Sequence, residues 1–208
     1  ERGPYPVAKK LLFGIQTNGI RHAECDGLPD IDTRFQMVKD AGVHDYVDKT
    51  PATHEIDEFA AASQKYGLPI LAGGWYYTLG SDEALFTQNI KLAQQLGSLI
   101  HNTQIRTNHA NGKPVTNAEV VRAYLDFQEI GDKYGVTPCF EVHVNMWSED
   151  FRRVEQVGRE VESYGIEFNI TLDHSHVIFK IDNPLEQEIG GIRRDVENGT
   201  LVLDPFNS

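Results

Sequence analysis

Lys133-Tyr134-Gly135-Val136-Thr137-Pro138-Cys139-Phe140-Glu141-Val142-His143 runs from the end of a polar, helix-periodic segment through a glycine into an apolar strand that finishes on Glu and His. Glycine just past the last helical turn is the ordinary helix stop. An apolar, β-branched run ending abruptly in charge delivers that charge to the rim of a sheet. The same junction recurs at Ala41-Gly42, Tyr66-Gly67, Leu96-Gly97 and Tyr164-Gly165, an internal period of roughly 30 residues. Such a period predicts parallel strands joined by crossover helices.

Working outward, apolar periodicity predicts strands at Leu11 to Gln16, Val43 to Val47, Pro69 to Gly73, Ser98 to Thr103, Pro138 to Val142 and Glu167 to Leu172. The predicted helices are Asp32 to Ala41, Thr53 to Tyr66, Ser81 to Leu96, a long one capped by Thr116 or Asn117 and ending at Tyr134, and one capped by Ser148 and ending at Tyr164. Beyond them come a possible helix near Leu185 to Ile189 and a Gly199-Thr200 turn.

Parallel βα repeats fit an open doubly wound sheet or a closed barrel. The first strand ends in Gln16-Thr17-Asn18-Gly19-Ile20, not in a Gly-rich phosphate turn. Polar or aromatic residues finish nearly every strand (Gln16, Asp48, Trp75, Asn102, Glu141, Asp173), which suits a barrel mouth. The expected fold is therefore α/β, a TIM-type barrel in a single domain over 1–208. A usual barrel has eight units in about 250 residues, and six are visible. Six strands leave two open sheet edges: either the chain is a fragment of an eight-unit barrel, the favoured reading, or another chain or the tail covers the edges. That makes a homo-oligomer one expectation.

The 208 residues carry a net charge of −12. That sign repels a phosphate backbone, and no basic run exceeds Lys9-Lys10 or Arg193-Arg194, so nucleic acid is not an expected partner. No apolar stretch approaches a membrane span, and Glu1-Arg2-Gly3-Pro4 lacks the layout of a signal peptide. Cys25 lies in a polar loop and Cys139 in a strand, so reduced thiols and a cytoplasmic address are expected.

Glu141 is the first candidate for chemistry, because a carboxylate ending an apolar strand requires a cation or a hydrogen-bond network. A salt bridge to a neighbouring Arg or Lys would serve as well. Asp173 brings a second carboxylate to the rim one unit later, and a divalent metal would relieve their repulsion. In Asp173-His174-Ser175-His176 an extended chain separates Asp173 from His176, so a turn is needed to unite them. His174 reads as structural or as a donor behind the ligands. His143 shares a strand face with Glu141 and could hold substrate or orient a ligand. His101, Trp75 and Trp147 stand near strand ends, where they could contact the apolar faces of a sugar or simply plug the barrel. No G-x-S-x-G, Walker loop, C-x-x-C or H-E-x-x-H is present.

Glu141 at the fifth strand end and the D-x-x-H of Asp173 to His176 after the sixth resemble the xylose isomerase-like TIM barrels, which include sugar isomerases and epimerases, hydroxypyruvate isomerase and type IV AP endonucleases. The resemblance implies that Glu141 and Asp173 bind a divalent metal (Mn, Mg, Co or Zn). His176 would contact substrate or take a second metal. It also implies that Glu141 is one half of an acid/base pair moving a proton next to a carbonyl through an enediolate. The family's seventh-strand His and eighth-strand Glu have no counterpart here, so weak metal binding and low turnover are expected of this chain. The expected partner is a small carbohydrate. Two readings stand beside it: a lyase or dehydratase on a sugar derivative, which begins with the same proton abstraction, and a non-catalytic carbohydrate-binding barrel. An AP endonuclease-like hydrolysis is opposed by the charge.

Overall fold

The computed structural model describes residues 11–21, 27–176 and 197–198. The expected Leu185 to Ile189 helix, the Gly199-Thr200 turn and Cys25 lie outside the described residues. Six strands form one sheet: β1 (Gly14–Gln16), β2 (Tyr46–Asp48), β3 (Ile70–Tyr77), β4 (Ile100–Ile105), β5 (Thr137–Val142) and β6 (Ile170–Leu172). Five helices alternate with them: α1 (Ile31–Ala41), α2 (Ile56–Tyr66), α3 (Glu83–Leu96), α4 (Asn117–Tyr134) and α5 (Phe151–Ser163).

Every neighbouring pair is parallel, and the spatial order is the sequence order, β1-β2-β3-β4-β5-β6. A doubly wound sheet reverses its order at a switch point. Sequential order without reversal is the barrel pattern, and the six strands curl into a half-barrel. Strands β1 and β6 each have one described neighbour.

Local chemistry sets the elements. Asp30 caps α1 by accepting from the Thr33 N–H at 2.7 Å. Thr116 and Glu119 form a reciprocal capping box on α4. Gly135 ends α4 at φ 71°, a left-handed conformation costly to a residue with a Cβ. Several boundaries differ from the sequence reading: β2 is Tyr46–Asp48, β6 begins at Ile170, and α2 and α3 begin at Ile56 and Glu83. Strand β1 starts at Gly14, leaving Leu11, Leu12 and Phe13 exposed. Strand β3 runs on through Trp75, Tyr76 and Tyr77, because its pairing with β4 continues in register to Tyr77 and Ile105. Ser148 is not the cap of α5; Asp150 takes that place, accepting from the Arg152 N–H at 3.1 Å.

The main core lies between the sheet and α3, α4 and α5. Phe86 and Phe127 stack at 3.7 Å between ring centroids, and Tyr77, Tyr124, Phe140 and Trp147 pack around them. A smaller cluster around Phe35, Phe59, Val47 and Ile70 anchors α1 and α2. Inside the main core, Asn89 donates to the Tyr77 hydroxyl at 2.8 Å, and that hydroxyl meets His101 Nε2 at 2.7 Å. His101 is fully buried, and burial lowers its pKa to about 4.

The unfolded chain binds a proton on His101 that the folded chain refuses. Stability is therefore whole above pH 6.5 and falls as the pH drops from there towards 4. This residue's share of the loss is roughly 3 kcal/mol. Urea melts at pH 7.5 and pH 4.5 on the wild type and His101→Met check it: the variant is less stable at neutral pH, but its pH dependence is shallower by that share.

Candidate metal and sugar site at the strand ends

Alternation along the strands decides which side chains face the barrel interior. Gly74, Asn102 and Cys139 lie in one register row, with Glu141 and Thr171 paired one step further on. Among the described residues a cavity of about 560 Å³ opens there, lined by Gln16, Asp48, Asn102, Gln104, Glu141 and Asp173 together with Gly74, Thr171, Leu172, His174 and Ser175. It sits at the carboxyl ends of the strands, where parallel α/β folds place their ligands.

Glu141 is 9% exposed. The amide that reaches it is that of Gln104, whose Nε2 donates to Oε2 at 2.8 Å. Asp48 stands in the same cavity, and its carboxyl is pushed above the usual range, first by burial and then by the Glu141 carboxylate. Asn102 accepts a hydrogen bond from the Thr171 hydroxyl, joining β4 to β6 across β5.

The chain after Glu141 is pinned by Ser148. Its hydroxyl donates to the Glu141 carbonyl at 2.6 Å and accepts from the His143 N–H at 3.1 Å. Asn145, at φ 61°, turns the intervening loop back, and its N–H donates to Glu149 at 2.7 Å. His143, two residues after Glu141, thus stands on a held segment with its ligand atom within 4.8 Å of the Glu141 carboxylate. On β6 the required turn is present: Asp173 Oδ1 accepts from the Ser175 N–H at 2.8 Å and the Ser175 hydroxyl at 2.6 Å, and a helical turn begins at His174. These bonds, the hydroxyl's first, hold the Asp173 carboxyl below the usual range. His176 Nε2 lies 3.5 Å from Asp173 Oδ2.

Among the described residues, Glu141, His143 and His176 are the group whose ligand atoms all lie within 4.8 Å of one another. The imidazole rings of His143 and His176 are 3.8 Å apart. His176 Nδ1 is buried without a hydrogen-bond partner. One carboxylate and two imidazoles, one of them with an unsatisfied buried nitrogen, are a donor set that fits a divalent cation.

Three sequence candidates lie elsewhere. His101 faces the helix layer, fully buried between Tyr77 and Phe86, so the expectation that it touches substrate is corrected to a structural role. Trp147 is 2% exposed in the same core, with its Nε1 3.4 Å from Asn117 Oδ1 and the Arg153 guanidinium over its ring, and it too is corrected to a packing residue. Trp75 is exposed at the end of β3, stacked on Tyr76 at 5.1 Å, outside the described cavity lining. His174, read as structural, lines the cavity. Local sequence patterning does not mark Gln104 or Ser148 as site residues; the signal for Gln104 is its position two residues after Asn102 on one strand face.

No family model matches the sequence, and no curated protein matches it. Solved structures do. D-allulose 3-epimerase from Methylomonas sp., in complex with D-allulose, is 15% identical with a TM-score of 0.61, covering 89% of this chain and 70% of that one. This chain has the fold of the xylose isomerase-like TIM barrels. The probable 3-DHS dehydratase AsbF from Bacillus anthracis gives a TM-score of 0.60 at 14% identity, covering 80% and 64% of the two chains. A xylose isomerase-like TIM barrel protein from Mycobacterium smegmatis, in complex with magnesium, gives 0.55 at 14% identity, covering 78% and 63%. The chain spans 63 to 70% of the length of these three structures. Among the described residues no helix is long and apolar enough to cross a membrane.

Removing the Ser148 hydroxyl leaves a buried carbonyl and an N–H without their partner. Ser148→Ala should lose about 1–3 kcal/mol of stability in a urea melt. Ser148→Thr, which restores the hydroxyl, should recover part of it.

Proposed function

We propose that the rim around Glu141 is a divalent-metal-dependent site that moves a proton α to a carbonyl of a sugar or polyol through an enediolate, as a sugar isomerase or epimerase. The observation that carries this reading is a carboxylate 9% exposed, lining a polar cavity at the strand ends and standing beside two imidazoles. Glu141 is the proposed base. Gln104 holds Oε2 and so leaves Oε1 oriented to take the proton. A carboxylate offers about four lone-pair sites, enough to bond Gln104, bind a cation and act as base at different positions.

Glu141 and His176 would hold the ion, with Asp173 beside them. When bound, a divalent ion supplies Lewis acidity that polarises a carbonyl and a neighbouring hydroxyl. Gln16, Asn102 and Gln104 line the cavity with neutral amides suited to hydroxyl groups, and Asp48 adds a carboxyl to the same wall. Trp75, exposed at the mouth, is proposed to meet the apolar face of a sugar, and His143 to contribute to binding. The sugar ligand and the magnesium of two fold neighbours support this choice of substrate class and cofactor.

The cytoplasmic reading rests on cysteine usage, with Cys139 free and its buried thiol pushed up to about 11. Association of copies through β1 and β6, each with one neighbouring strand among the described residues, is proposed on the strand order.

A dehydratase-type elimination is the second reading, supported by the likeness to AsbF. The test incubates the purified chain with a panel of ketoses and Mn²⁺, following products by NMR. Metal-dependent epimer or aldose formation, lowered at least about 100-fold in Glu141→Gln, is the expected result. Turnover unaffected by chelator or by Glu141→Gln overturns the reading, and loss of water from the sugar transfers it to the lyase class.

A further inference from the structure

We infer that His143 is a metal ligand, forming with Glu141 and His176 a site of one carboxylate and two imidazoles that takes Zn²⁺ in preference to Mg²⁺. The inference rests on the proposed metal-dependent reading and specifies its ligands and ion.

The ligand atoms of the three side chains lie within 4.8 Å of one another, although they come from the end of β5, its loop and the turn after β6. His143 Nδ1 is 2.6 Å from the Val144 carbonyl oxygen. A carbonyl only accepts, so the proton sits on Nδ1 and the lone pair on Nε2. An imidazole anchored to a backbone carbonyl through one nitrogen and free at the other is the arrangement metal-bound histidines use. The backbone beneath it is fixed by the Ser148 hydroxyl, so the ring is carried on a held segment. His176 supplies the second imidazole, with a buried Nδ1 lacking a hydrogen-bond partner.

Asp173 is committed differently. Its Oδ1 accepts two bonds from Ser175, and its Oδ2 lies 3.5 Å from His176 Nε2. In this arrangement it is a positioning residue that starts the turn and orients the His176 ring. The ion follows from the donors. Mg²⁺ demands oxygen ligands and keeps its waters, whereas imidazole suits Zn²⁺. Three protein ligands with a position left open for substrate are also the usual arrangement of catalytic zinc.

The test is calorimetric titration of the purified chain with Zn²⁺, alone and in excess Mg²⁺, on the wild type, His143→Phe and Asp173→Asn, with X-ray absorption at the zinc edge on the wild type. His143→Phe keeps a ring beside His176 but removes both nitrogens. Zinc bound despite excess Mg²⁺, weakened about 100-fold or more in His143→Phe and less in Asp173→Asn, with two imidazoles in the absorption spectrum, is expected. Zinc binding that survives His143→Phe, or that Mg²⁺ displaces, overturns this inference while leaving a metal-dependent rim intact. Failure of Zn²⁺, Mn²⁺, Co²⁺ and Mg²⁺ alike to bind overturns both. The absorption spectrum decides the ligand count even if His143→Phe does not fold.

Discussion

The rest of the site depends on one constraint, the near-burial of the Glu141 carboxylate at the end of a central strand. Taking an ionised carboxyl out of water is costly unless its oxygens are repaid by donors or a cation. One oxygen is met by the Gln104 amide from the neighbouring strand. The imidazoles of His143 and His176 place ligand atoms within 4.8 Å of the Glu141 carboxylate, and they are held by two separate devices, the Ser148 clamp and the Asp173 turn. Asp48 adds a second carboxyl to the same cavity and feels Glu141 as a repulsion, which sharpens the demand for positive charge. Each of these features makes local sense as an answer to that buried charge.

The scaffold separates this polar region from an apolar one by parity. Along β4 and β5 the residues facing the cavity are Asn102, Gln104 and Glu141, and their immediate neighbours His101, Ile105 and Phe140 are buried in the helix layer. A parallel sheet keeps that parity from strand to strand because paired residues point the same way, so the register from Gly74 to Asn102 to Cys139 fixes the cavity lining of three strands together. The stacked Phe86 and Phe127 on the other face hold the helices against the sheet. A substitution that slipped one strand by a residue would exchange a cavity amide for a core side chain.

Much of this was legible in the sequence where the signal was local. Glycine after each helix marked the βα period, because a left-handed residue ends a helix at a sharp point. Glu141 and Asp173 stood out as charges at the ends of apolar runs, and the turn needed to bring His176 to Asp173 is present. Where neighbouring residues compete, the sequence was ambiguous. His101-Asn102 is a polar pair on one strand; one must face the core, and only the register shows that it is His101, whose Nε2 meets the Tyr77 hydroxyl there. Trp147 follows β5 closely enough to suggest the mouth, yet a 3-10 turn over Trp147–Glu149 folds it into the core beside Asn117 and Arg153. That turn also explains why Ser148 does not cap α5: its hydroxyl serves the strand end, and Asp150 begins the helix.

Glu141 is proposed to exchange a proton with a carbon next to a sugar carbonyl. Abstraction and return on one face need only one base, so the direct measurement is solvent exchange: the metal-loaded chain, a ketose and D₂O, followed by proton NMR. Loss of the proton signal at the carbon beside the carbonyl in the wild type, and its persistence in Glu141→Gln at the same metal occupancy, is the predicted result. Equal exchange in both proteins, or none in a wild type shown to hold metal and sugar, would contradict it.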